Sequence, residues 1–297
     1  MGNPWSSAVE AEARALLTPP PLPEESFART ADDPGLFGPD DVVWRLHAER
    51  SGVVGGLRAL LLQTLHPVAM AAVSEHSAYR TDPWGRLHRT AAFLALTTYG
   101  TTSAAEATIE RIRRVHDRVT GVAPNGLPYR ANDPDLLAWV HATEVDSFLA
   151  AARRYGTGSY DHSDGDRYVA DMALVGERLG VIDPPRTEDA LAAYLRDVRP
   201  ELHATPEARE AVRFLVAPPM PARLRPAYGV VTAAAVGLLP GWARRELLLP
   251  ASPLADALVV RPATVGVLDM MQRMLGPSPA ITAADAAAHA VRAGAAT

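Results

Sequence analysis

The chain of 297 residues contains no cysteine and no lysine. The first absence excludes disulfides, Cys-ligated zinc, iron–sulfur clusters, cysteine nucleophiles, thiolate-ligated haem and covalent CxxCH haem attachment from this chain alone. The second means that all 29 basic residues are Arg. A P-loop lysine, a pyridoxal-phosphate Schiff base and a lysine general base are therefore excluded. Several motifs are also missing: HExxH for zinc, GxSxG for a nucleophile elbow, paired Glu-x-x-His elements for a four-helix di-iron site, and Gly-rich phosphate loops. The net charge of −5 gives no general attraction to nucleic acid or anionic lipid. The longest uncharged stretch, Ala227–Ala243, is shorter than the roughly 20 apolar residues of a membrane span and contains Pro240. A buried helix is expected there. The N-terminus lacks a basic start followed by an apolar block, so the expectation is a soluble, cytoplasmic protein without stable membrane insertion.

What is present is helical. Ala, Leu and Arg dominate, and apolar residues recur at steps of three and four. This periodicity predicts helices near 39–50, 53–76, 84–99, 103–120, 133–154, 164–179, 187–198, 206–215, 227–238, 252–275 and 282–294. A single large all-α domain (26–297) follows an N-terminal arm (1–25), whose TPPPLPEE run at Thr18–Glu25 cannot continue a helix. Pro67 predicts a kink or break within 53–76. Asp133-Pro134 reads as an N-cap before a first-turn proline, Gly121 as a helix stop, and Asn125-Gly126 and Asp183-Pro184-Pro185 as turns.

One stretch breaks the apolar pattern. In IERIRRVHDRVTG (109–121), Ile109, Ile112, His116 and Val119 line one helical face, so an imidazole stands where the repeat calls for Leu. Two readings are open. His116 is a core histidine donating one ring nitrogen to a carbonyl, or it is a metal ligand. A single histidine cannot cage a bare metal but can ligate haem, whose porphyrin supplies the other nitrogens. Arg86, Thr90, Phe93 and Thr97 share a second face, suited to a half-polar cavity. The alternative pairs Arg86 with an acid and Thr90 with its own backbone. His66 stands at the Pro67 break, either presented into a pocket or satisfying a carbonyl freed by the kink.

The blocks LLLQTLHPVAMAAVSEHSAYRTDPWGRLHRT, YGT, RIRRVHDRVTG and YRANDPDLLAWVHAT, in that order, resemble a family once catalogued as a domain of unknown function. It includes bacterial latex-clearing rubber oxygenases and the fungal oxygenases of mycophenolic acid biosynthesis. The similarity covers about residues 40–155 and continues more loosely through GERLGVIDPP and GLLPGWARREL. The resemblance implies a globin-like core around non-covalent haem b, with His116 as the iron ligand. Arg86 and Thr90 match an Arg-x-x-x-Thr element beside the haem or a propionate. Arg89 stands where the rubber oxygenases carry a lysine, and Glu75 is the nearest candidate for their glutamate base. Arg86 and His66 are the first side chains expected to meet bound oxygen or a propionate, and His141 a structural or supporting residue. The implied activity is that of a haem-dependent oxygenase or peroxygenase. It would act on an apolar small molecule such as a lipid, isoprenoid or other alkene, with dioxygen or peroxide and an electron donor that the sequence does not identify. A haem sensor or carrier without turnover, and a helical scaffold without cofactor, are the competing expectations.

Overall fold

A computed structural model describes residues 4–250 and 252–295. Its helices are α1 (Pro4–Leu17), α2 (Val42–Ala48), α3 (Gly52–Gln63), α4 (Pro67–His76), α5 (Pro83–Tyr99), α6 (Thr102–His116), α7 (Pro134–Tyr155) and α8 (His162–Leu179). They continue as α9 (Glu188–Asp197), α10 (Pro206–Val216), α11 (Arg225–Leu238) and α12 (Gly241–Glu246). A short α13 (Pro253–Ala255) runs through a π-helical stretch, Asp256–Val260, into α14 (Arg261–Leu275), and α15 (Pro279–Ala295) closes the chain. The fold is all-α apart from a two-stranded hairpin between α6 and α7, formed by β1 (Thr120–Val122) and β2 (Pro128–Arg130). Residues 1–25, expected as an arm, contain α1. Ala13 of that helix is buried and the Leu16 carbonyl accepts from His88. α1 and α12 are helices that the periodicity did not predict.

The 22-residue α7 organises the core because it is apolar around most of its circumference. Leu136, Trp139, Ala151 and Tyr155 join one buried cluster with α3, α4, α10, α11 and α14. Ala142, Val145, Phe148, Leu149 and Ala152 join a second with α2, α5 and α8. α3 approaches α7 closely through Gly55. A Cβ there would lie 3.0 Å from the Phe148 Cα and 3.1 Å from the Ser147 carbonyl oxygen. One turn on, the buried Arg58 donates to Asp146 (2.6 Å), Ser147 Oγ (2.7 Å) and the Leu238 carbonyl (3.0 Å), joining α3, α7 and α11.

The expected helix 53–76 is two helices, α3 and α4, bent by 107°. Pro67 clashes with a helical preceding residue, and His66 is accordingly extended (φ −87°, ψ 111°). No single helix among the described residues is long and apolar enough to cross a membrane. The apolar α11 buries Val231, Ala234, Ala235 and Val236 against its neighbours, as expected for a core helix.

The hairpin corrects two expectations. α6 ends at His116, and Gly121 is not its stop but the middle residue of β1, opposite Tyr129. Its small size is needed for approach, since a Cβ at 121 would lie 2.4 Å from Tyr129 Oη and 3.0 Å from Glu75 Oε2. Asp133 precedes Pro134 as expected but does not cap α7 with its side chain; its Oδ2 accepts instead from the Arg130 amide at 2.8 Å. Asn125-Gly126 does form the turn, with Asn125 Oδ1 accepting from Leu127 N and Gly126 at φ +83°.

Candidate active site

The site lies where the end of α4, the start of α5, the end of α6 and the hairpin meet. Asp82 caps α5 by accepting from Gly85 N (2.9 Å), and Pro83 occupies its first turn. This sets Arg86 on the first exposed turns, facing back towards α4, where its Nη1 donates to Ser77 Oγ at 3.0 Å. No carboxylate pairs with Arg86 among the described residues, so the expected alternative of an acid partner is not what holds it. Burial lowers its pKa, and the ionisable groups acting on it are Tyr79, which raises the pKa, and Arg89, which lowers it. The buried Tyr79 hydroxyl has no hydrogen-bond partner. A guanidinium without an anion and a phenol without a partner thus lie together.

Thr90 is exposed and donates to the Arg86 carbonyl at 3.1 Å, the own-backbone bond. Thr97, further along the same face, is buried and bonds the Phe93 carbonyl. Arg89 is exposed and ion-paired with Asp82 at 3.1 Å.

His116 is the last residue of α6, whose start is capped by Thr101 Oγ1 accepting from Ala104 N. The ring is half-buried, and its Nδ1 is buried without a hydrogen-bond partner. It does not donate from that nitrogen to a carbonyl, as a satisfied core histidine would. Desolvation lowers its pKa, opposed by the neighbouring Asn132 and Asp117, which favours the neutral ring with a lone pair for a Lewis acid. The adjoining face of α6 is basic: Ala107, Arg111, Arg114, Val115 and Arg118 line an open groove of about 390 Å³.

Glu75, near the end of α4, accepts from Tyr129 Oη at 2.5 Å, and His76 Nε2 lies 3.9 Å from the same carboxylate. Tyr129 is buried, and desolvation followed by Glu75 pushes its pKa up to about 12, so it remains a donor. Because β1 begins four residues after His116, the hairpin brings Glu75 to the C-terminal end of α6. Arg86 reaches the same end of α4 through Ser77, two residues after Glu75.

His66 lies elsewhere. Its Nδ1 accepts from Ala69 N (3.3 Å) as the cap of α4, its Nε2 is 4.0 Å from Glu201, and its ring lies 6.2 Å from that of Trp139. His141 is buried against Gly176 of α8, and desolvation lowers its pKa to about 4. Four site residues, Ser77, Tyr79, Tyr129 and Asn132, had no assigned role in the sequence reading. Tyr129 and Asn132 stand in the YRAND block, where the Asp-Pro cap signal dominates. The described residues also hold a His162, Asp166, Glu188 group within metal-ligand spacing, but both oxygens of Glu188 are already taken by Arg153 at 2.5 and 2.7 Å.

No curated protein matches the chain. No solved structure matches it either. Residues 44–269 match the family model described as ER-bound oxygenase mpaB/B'/rubber oxygenase, catalytic domain. That span includes α3 to α12, every residue of the site above, and well over half of the chain, so the protein belongs to the mpaB and rubber oxygenase catalytic-domain family.

Proposed function

We propose that this protein is a haem b-dependent oxygenase or peroxygenase acting on an apolar small molecule, with His116 as the protein ligand to the iron. The observation that carries the reading is a half-buried imidazole ending an amphipathic helix, its buried Nδ1 bonded to no backbone carbonyl. The second support is Arg86, a partly buried cation with no carboxylate partner, beside a phenol with none. A porphyrin propionate is the kind of anion that such a pair receives. These residues fit the group. The absence of cysteine excludes a thiolate ligand, so a histidine such as His116 would hold the iron.

Bound there, haem would supply redox-active iron for the activation of dioxygen or peroxide. The chain's own residues do the rest. His116 would offer one ring nitrogen to the iron, its burial favouring the uncharged imidazole. Arg86, held by Ser77, neutralises a carboxylate, and Thr90 stands one turn above it. Glu75 accepts from the Tyr129 hydroxyl and is the candidate proton acceptor for a substrate C–H. The rubber oxygenase part of the family description favours an alkene or other isoprenoid-like substrate.

The test is an absorption spectrum of the protein titrated with haemin, before and after dithionite. A stoichiometric Soret band that shifts in His116→Ala is expected. An unchanged spectrum in that variant rejects the ligand assignment, and no Soret band at all rejects the haem reading. Oxygen uptake with reductant or peroxide and a panel of alkenes then separates the oxygenase from a sensor or carrier, which would bind haem without turnover.

A further inference from the structure

We propose that Asn132 positions His116: its Oδ1 accepts the Nδ1–H of the imidazole, which leaves Nε2 as the nitrogen free to ligate. The inference rests on His116 as the cofactor ligand and adds the residue that orients it.

Four observations carry it. First, His116 Nδ1 and Asn132 Oδ1 are each buried and each lack a hydrogen-bond partner. Two complementary polar atoms left over on neighbouring side chains are most simply satisfied by one another, since orphaned buried groups are rare. Second, the orientation of the amide is settled by its other end. Asn132 Nδ2 donates to the Arg113 carbonyl at 3.0 Å and to Asp117 Oδ1 at 2.6 Å, which uses both of its hydrogens. A flipped amide would set its oxygen against two acceptors, so the atom left for the imidazole is Oδ1.

Third, the Asn132 side chain lies within hydrogen-bonding reach of the imidazole. Fourth, the backbone around Asn132 is fixed to the chain that leaves His116. Ala131 N donates to the Val119 carbonyl at 2.9 Å, and Arg130 and Asp133 bond each other on the far side. The opposite tautomer, with the proton on Nε2, would face the Nδ1 lone pair with an oxygen lone pair. Metal-binding histidines are oriented by such a bond from the second nitrogen, and its loss weakens metal affinity by about 10- to 100-fold.

The experiment reads the tautomer directly. Long-range proton–nitrogen correlation spectra of the ¹⁵N-labelled full-length protein, without added cofactor and at pH 8, report which ring nitrogen carries the proton. His116→Gln identifies the signal among the nine histidines. The expected wild-type result is a dominant Nδ1–H form. Asn132→Ala should shift it to a mixture and lower haemin affinity by about 10- to 100-fold. Asp117→Ala, which removes another anchor of the same amide without removing the acceptor, should leave the tautomer unchanged. A wild-type ring protonated on Nε2 overturns the proposal by itself, whether or not Asn132→Ala folds. So does an Asn132→Ala spectrum identical to wild type. Should the Nδ1–H form be found and haemin still fail to bind, the positioning pair stands and the haem reading falls.

Discussion

Gly121→Ala probes the contact that joins the hairpin to α4. The added methyl carbon would start 2.4 Å from Tyr129 Oη and 2.6 Å from Tyr129 Cζ, far inside contact distance. Tyr129 cannot simply swing away, because its side chain is 2 % exposed and packed in the larger core cluster. Overpacking of this kind costs about 1–3 kcal/mol. Displacing the phenol also lengthens its 2.5 Å bond to Glu75, a charge-assisted bond of about 1.5–3 kcal/mol. Water recovers part of that loss at Glu75, whose side chain is 58 % exposed. The sum expected for Gly121→Ala is about 2–4 kcal/mol. Tyr129→Phe alone should cost about 1 kcal/mol. In the double variant the oxygen that meets the methyl is gone, although Cζ remains, so the two effects should fall short of additivity by about 1–2 kcal/mol. Urea denaturation followed by tryptophan fluorescence and circular dichroism measures all four corners of the cycle. The rival explanation, Gly121 as a helix stop, predicts a cost of about 1 kcal/mol that does not depend on residue 129. Strict additivity, or a Gly121→Ala cost below about 0.5 kcal/mol, would refute the close-approach argument.

Arg58→Ala strands a buried Ser147 hydroxyl and the Leu238 carbonyl and leaves Asp146 unpaired, so a loss of about 3–5 kcal/mol is expected in thermal denaturation. A loss under 1 kcal/mol would show that water replaces the guanidinium. Burial raises the pKa of Glu144 from its ordinary 4.5 to about 7. Its raised pKa means that the contribution is full below pH 4.5 and is lost as pH rises through 7. Glu144→Gln should therefore flatten the fall in stability between pH 5 and 8, an effect on the order of a few kcal/mol, and an unchanged pH profile would contradict it. His66→Ala removes the cap of α4 and is expected to cost about 1 kcal/mol while leaving haemin stoichiometry unchanged. Loss of haem binding in a folded His66→Ala protein would instead place His66 in the site.

The helical character of the chain, most helix boundaries and the break at Pro67 were legible in the order of residues. They depend on periodicity, on Pro chemistry and on short-range caps, all of which act within a few residues. His116 stood out for the same reason, as a polar residue inside an apolar repeat. Arg86 and Thr90 likewise declared a shared face by their spacing. The missing cysteines and lysines narrowed the chemistry before any packing was known.

Contacts across long separations were not legible. Nothing near Gly121 announces that a phenol eight positions on, held by a carboxylate forty-six positions earlier, requires it to lack a side chain. Asn132 looks like part of a turn before an Asp-Pro cap, and only its two bonds to the end of α6 fix which way its amide points. The bare guanidinium of Arg86 and the capping role of His66 are equally tertiary facts. Local sequence sets which residues can share a helix face, because that geometry repeats every 3.6 residues. Which faces meet, and which polar atoms find no partner when they do, is decided by the packing of the whole chain, where burial prices each unpaired group.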